Sequence, residues 1–264
     1  MPWSTSIWII ICVSLVCEPV PCAVLLLSSS SCEYSNQAPQ RRRTPLDWPK
    51  LFEPMQDSDQ VATALRRDFA AIRPSTDRAW FRAPAVRVID CVLSLNRQYD
   101  RFVVPRLDSF EERFSSVTNL RQLRELIDSF DSPEAFVRDA LSYHDAPRAQ
   151  VLSRVVDFLL EASTSAPGNS ELERLQYWAQ EARPAGYRGV GIRGFGLAGF
   201  QYLRMLFGAN TTKPDVHIRR YVAAAVGRPV SDVQALSLLE EAAGKDRVAL
   251  RDVDTTIWER SARG

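Results

Sequence analysis

IRGFGLAGFQYLRMLFGANTTKPDVHIRR, residues 192–220, decides how the rest of the chain is read. Ile192, Arg193, Gly194, Phe195 and Gly196 set apolar anchors beside two glycines, a pattern that lets the backbone turn sharply with no Cβ in the way. Directly after it, Phe200, Leu203, Met205, Leu206 and Phe207 recur at helical spacing, so the turn opens onto a helix N-terminus. The first N–H groups of a helix lack intrahelical acceptors, which makes such an end a seat for one phosphate. The pattern breaks from Gly208 to Pro214, and Asp215 then precedes Val216, His217, Ile218, Arg219 and Arg220 at the start of another helix. A carboxylate is thereby delivered near the phosphate seat.

The two motifs together resemble the helix-hairpin-helix and catalytic segment of the HhH-GPD superfamily of DNA glycosylases, the endonuclease III-like enzymes. In that family the hairpin reads leucine, proline, glycine, apolar, glycine, and about twenty residues later comes valine, aspartate, threonine, histidine, isoleucine. Here those positions hold Ile192, Arg193, Gly194, Phe195, Gly196 and then Pro214, Asp215, Val216, His217, Ile218. The resemblance implies an all-α, two-lobed fold over roughly residues 57–262, with the central helices in one lobe, the first and last in the other, and a DNA-facing cleft between.

It also implies roles. Asp215 is the catalytic carboxylate. Ile192, Arg193, Gly194, Phe195, Gly196 and Ala198 grip the DNA backbone, with a possible monovalent cation on the hairpin carbonyls. Asn96, in SLNRQYD, matches the polar residue that fills the gap left by a flipped base. Arg219 and Arg220 add attraction for phosphates, while His217 and Tyr143 are structural neighbours of the site. Two departures limit the chemistry. Family members that also cut the strand carry a lysine where this chain has Ala198, so no Schiff-base lyase step is expected and only monofunctional release of the base remains. No cysteine follows Cys91, so the iron-sulfur cluster of some relatives is not expected.

Away from this stretch the chain divides into a tail and a helical body. Residues 1–46 are expected to lie outside the fold and 47–264 to form one helical domain. The first 40 residues hold only Glu18 and Glu33 as charges, together with Cys12, Cys17, Cys22 and Cys32. Their apolar run from Ile7 to Cys17 is interrupted by Glu18, Pro19 and Pro21, so no membrane span of about 20 residues is expected. The n-region MPWSTS has no positive charge, which favours a non-exported, cytoplasmic protein (nucleoid-associated in a bacterium) over a secreted one.

From Ser58 onward the periodicity is helical. Ser58 can cap a helix bearing Val61, Leu65, Phe69 and Ile72 on one face, with Pro74 closing it. Val86 to Leu95 reads as an apolar helix, Asn119 to Phe130 as an amphipathic one, and Ser132 with Pro133 as a helix start. Tyr143 and His144 close the helix that Ser132 starts, and another runs over residues 148–161. Glu171 to Arg183 reads as the first helix of the hairpin motif. A helix with Val233, Leu236, Leu238 and Leu239 buried then starts at Asp232, and a last one with Val253, Ile257 and Trp258 at Asp252. No alternating strand pattern is sustained.

The net charge of +1 hides an asymmetry: residues 183–228 hold eight basic side chains against the single acid Asp215. A basic segment around a phosphate seat points to a polyanion, and double-stranded DNA with a damaged or mismatched base is the partner implied, met by a monomer. Plainer readings stand beside these. Asp215 serves equally as a helix N-cap, Asn96 as a polar helix end, and Tyr143 as packing. Two functions follow: a monofunctional DNA glycosylase, or a noncatalytic helix-hairpin-helix module that binds DNA or protein.

Overall fold

The computed structural model describes residues 56–69, 71–72, 74 and 78–263, all within one unit of the chain, residues 53–264. The proposed tail, with its cysteines and Arg41 to Arg43, lies outside the described residues.

The described chain is all helix, with no strand among the described residues. In order these are α1 (Asp57–Asp68), α2 (Pro84–Leu93), α3 (Val104–Arg113), α4 (Leu120–Asp128), α5 (Pro133–Ala140), α6 (Ala146–Thr164), α7 (Glu171–Glu181), α8 (Tyr187–Val190), α9 (Leu197–Leu206), α10 (Val216–Val226), α11 (Asp232–Asp246) and α12 (Leu250–Arg263). Local chemistry sets many of the starts. Asn119 and Ser231 form capping boxes with Gln122 and Gln234, and Ser132, Asp145, Ser170 and Asp215 each accept an N–H of the following turn.

Two hydrophobic cores divide these helices. The larger runs through α2 to α9 and includes Phe110, Phe136, Leu159, Phe200 and Phe207. The smaller joins α1 to α10, α11 and α12 through Val61, Leu65, Ile218, Val222, Leu239, Val253 and Ile257. The first helix thus packs with the last three, its apolar stripe of Val61 and Leu65 buried in the same cluster as theirs.

Several boundaries differ from the sequence expectation. Ser58 lies inside the first turn of α1, whose N-cap is Gln56, and Phe69 and Ile72 pack from the loop after it. The helix carrying Pro133 ends at Ala140, before Tyr143. Val233 is not buried but 66% exposed, since α11 turns Ala235, Leu236 and Leu239 inward instead. Glu171 to Arg183 does not lead directly into the hairpin: α7 stops at Glu181, and the segment before the turn is a 3-10 turn, Pro184–Gly186, running into α8. Pro184 forces that separation, because its missing N–H ends one helix and its fixed φ starts another. No helix among the described residues is long and apolar enough to cross a membrane.

Candidate functional site

The hairpin is built by three glycines with different tasks. Gly191 and Gly194 sit at φ of 69° and 95°, left-handed conformations that close α8 and turn the chain. Gly196 is the N-cap of α9 in an extended conformation, so strain does not require a glycine there. A Cβ added at Gly196 would meet nothing within 4 Å, which leaves open space above the first turn of α9. No side chain caps that turn. Below the surface Phe195 is 3% exposed and anchors the loop in the larger core, while Arg154 donates from Nε to the Val190 carbonyl at 2.8 Å. Arg193, Gly194 and Gly196 remain exposed.

Gly199 fixes where this hairpin points. A Cβ there would lie 2.9 Å from Leu95 Cδ2 and 3.0 Å from Phe195 Cε2, so any larger residue would force these side chains to shift where α9 approaches the end of α2. The Cys91 thiol donates to the Gly199 carbonyl at 3.3 Å across the same contact. Burial pushes that thiol well above its ordinary range, which makes it a packed donor and not a nucleophile.

A cleft of about 900 Å³ opens beside this contact. Its walls come from helices of both cores: Trp80, residues 94–101, Ala198, Tyr202 and Met205 on one side, residues 213–219, Asp254 and Trp258 on the other. Ala198, two residues beyond Gly196, and Asp215 therefore line one space. Asp215 is both a cap and a cleft residue. Its Oδ1 accepts the N–H of His217 at 2.8 Å and of Ile218 at 3.3 Å. Its Oδ2 stands 4.0 Å from Lys213 Nζ and accepts no hydrogen bond among the described residues. His217 lines the cleft through the first turn of α10.

Buried carboxyls hold the walls in place. Asp90, wholly buried on α2, accepts from the Tyr99 hydroxyl at 2.7 Å and the Tyr202 hydroxyl at 3.1 Å, fixing both rings against the cleft. Loss of water pushes this carboxyl up to about 6, against the opposing pull of the two hydroxyls. Asp254, 9% exposed on α12, accepts from the Thr212 hydroxyl at 2.5 Å and the Lys213 N–H at 2.8 Å. Burial first, and the neighbouring Asp215 in addition, push it up to about 7. Trp80 is held by Arg87, whose Nη2 donates to its carbonyl at 2.8 Å, and by the Arg251 guanidinium 5.3 Å from its ring centroid.

The remaining expected residues fall in three places. Asn96 is exposed at the cleft in a left-handed conformation, φ 55°, which asparagine tolerates better than most side chains. Tyr143 is not a cleft residue: it packs on Phe102 at 4.8 Å, donates to Asp145 at 2.6 Å and accepts from Arg97 at 2.8 Å, so it steadies an arginine that does line the cleft. Arg219 lines the cleft but pairs with Asp232 at 3.2 Å, whereas Arg220 is exposed outside it.

Sequence reading gave no role to Asp90, Asp254 or Tyr99, counted Lys213 only within the basic segment, and took Tyr202 for a core residue with base stacking as the lesser reading. One signal was present, since an acid and an arginine inside PAVRVIDCVL, otherwise apolar all round, can be buried there only with partners. Among the described residues no group of three or more His, Cys, Asp or Glu is placed to hold a metal ion.

A family model described as Domain of unknown function (DUF8548) matches residues 59–262. No curated protein and no solved structure matches the chain.

Proposed function

We propose that this chain, which belongs to the DUF8548 family over residues 59–262, is a DNA base-excision glycosylase with an HhH-GPD-like fold that hydrolyses the N-glycosidic bond of a damaged or mispaired base. One observation carries the reading: Asp215 and Ala198, two residues beyond the second hairpin glycine, line a single cleft between two helical cores. An enzyme that acts on a base inside a duplex must take the nucleotide out of the stack and hold its backbone while it does so. The uncapped start of α9, with open space above Gly196, supports a phosphate grip there, and the hairpin carbonyls would take a monovalent cation. Asn96, projecting at the rim, would fill the vacated place in the duplex.

As the glycosidic bond breaks, positive charge grows on the sugar ring. Oδ2 of Asp215 supplies the opposing charge and orients the attacking water, while Oδ1 stays on the α10 N–H groups. The rings of Trp80, Tyr99, Tyr202 and Trp258 offer flat apolar walls for an extruded base. Base release from duplexes carrying uracil, alkylated or oxidised bases tests this, with Asp215→Asn expected to abolish release while still binding DNA. A noncatalytic DNA-binding module is the second reading, favoured by the capping role of Asp215. It requires salt-dependent duplex binding and no abasic product from any lesion.

A further inference from the structure

Asp254 is 9% exposed and lines the cleft from α12, one turn before Trp258, which shares that wall. Its two oxygens have different surroundings. Oδ2 accepts the Thr212 hydroxyl at 2.5 Å and the Lys213 N–H at 2.8 Å. Oδ1 has no hydrogen-bond partner among the described residues and is not sealed in the interior, so it is the oxygen left to face the cleft. Asp90, the other buried acid beside the site, is engaged on both sides: one oxygen takes the Tyr99 hydroxyl and the other takes that of Tyr202.

A carboxyl that only stapled the segment before α10 would need one oxygen, and an asparagine carbonyl would serve there without burying an ionisable group. What aspartate adds is a proton, and the bonds on Oδ2 settle where it sits. A backbone N–H can only donate and the Thr212 hydroxyl donates as well, so Oδ2 is filled and the proton belongs on Oδ1. Burial, with the Asp215 charge in addition, pushes the group up to about 7, so both of its forms are present at neutral pH. Asp215 has the opposite setting, beside the Lys213 ammonium and on two backbone N–H groups. Two acids in unlike surroundings on one cleft can divide the work of proton donor and charged partner.

We propose that Asp254 is a general acid that protonates the departing base from Oδ1, which makes the substrates bases attached without a positive charge of their own. The assignment rests on the glycosylase reading and adds a second acid, from the last helix, to Asp215. Oδ1–H gives its proton to a ring nitrogen or carbonyl oxygen of the base as the C1′–N electron pair moves onto the base, which leaves neutral. Water forms its bond to C1′ and passes a proton to Asp215 Oδ2, giving the abasic sugar. Solvent then takes that proton from Asp215 and returns one to Asp254. A base that is already cationic leaves neutral without a donor, so Asp254 does nothing for it.

The test follows single-turnover base release against pH, with the full chain and duplexes that carry uracil, hypoxanthine or 8-oxoguanine, all uncharged, or 3-methyladenine, which is cationic. On the uncharged base it opens, the parent should lose about tenfold in rate per pH unit above about 7. Asp254→Asn keeps an acceptor for Thr212 and Lys213. It should slow release of the uncharged base about 100-fold, lose the alkaline limb and stay within a few-fold of the parent on 3-methyladenine. Lys213 and Asp215 are the charged groups acting on Asp254; His217 and Arg219 of α10 and Asp232 of α11 share the cleft, and His217→Gln should keep the limb. A parent that opens only the 3-methyladenine duplex, or a limb that survives Asp254→Asn, overturns the proposal. An equal loss on both kinds of base does so too, since that marks a structural staple. If the variant does not fold, the parent's own pH course on the uncharged base decides. No release from any duplex sinks the glycosylase reading and the acid with it, whereas release with a flat pH course sinks the acid alone.

Discussion

Asp215→Asn and Asp215→Ala separate the two tasks of one carboxylate. Oδ1 takes two N–H groups at the start of α10, at 2.8 and 3.3 Å, and an asparagine carbonyl can accept both. Alanine removes the cap, which costs about 1 kcal/mol and lowers Tm by about 2–4 °C in a domain of this size. Asparagine should melt within about 1 °C of the parent. Chemistry should rank the variants differently. On the proposed glycosylase reading the Oδ2 charge is the part set against the sugar cation, and losing one preorganised electrostatic group costs about 100- to 1,000-fold in rate. Both variants should therefore lose single-turnover base release to that extent, although only alanine loses stability. Calorimetry and a lesion duplex opened by the parent protein make the comparison. An asparagine variant that releases base within a few-fold of the parent refutes the reasoning, since Asp215 is then a cap and nothing more.

Other consequences follow from the same geometry. Gly199→Ala should destabilise the fold by about 1–3 kcal/mol, because the Phe195 ring must yield to a Cβ 3.0 Å away; an unchanged Tm counts against the close contact. Asp90→Asn should flatten the pH dependence of stability. The buried carboxyl is raised from its ordinary 3.8 to about 6, so its contribution is complete below pH 4 and lost as pH rises through about 6; the variant should gain about 3 kcal/mol on the parent between pH 4 and 7 in denaturant titrations. A parallel pH course for the two proteins contradicts this. Arg193 and Arg220 are exposed with no ion pair among the described residues, so replacing either by alanine should reduce the slope of log affinity against log salt by about 0.9 on duplex DNA. Arg219→Ala should change it less, because Arg219 already pairs with Asp232. Fluorescence anisotropy across a salt series measures all three.

The all-helical fold was legible because most stretches carry a helical stripe and many carry their own start signal. Asn119 and Ser132 cap where spacing places a helix start, and the turn through Gly194 and Gly196 opens onto α9 at Leu197. Asp215 was legible as a helix start, and its second oxygen was not, since sequence does not say which way a cap faces. Boundaries failed where two signals compete. Pro184 cuts the hairpin's first helix short, and Val233 follows an apolar pattern yet faces outward because Ala235, Leu236 and Leu239 already fill the smaller core. The contacts that brace the walls of the cleft were beyond local reading, even where a residue such as Asn96, Ala198 or Asp215 was singled out. Asp254 holds Thr212 from 42 positions away, and Tyr202 meets Asp90 across 112, pairings that exist only once both cores have formed.

An oxygen clamped to the beginning of a helix goes wherever that helix goes. Ile218 and Val222 seat α10 against Val61 and Leu65 of the first helix, so the aim of Oδ2 is set by packing outside the cleft lining. Trimming a methyl group from Val61 should then cost accuracy sooner than integrity: a protein that still melts cooperatively, and fires slightly off target.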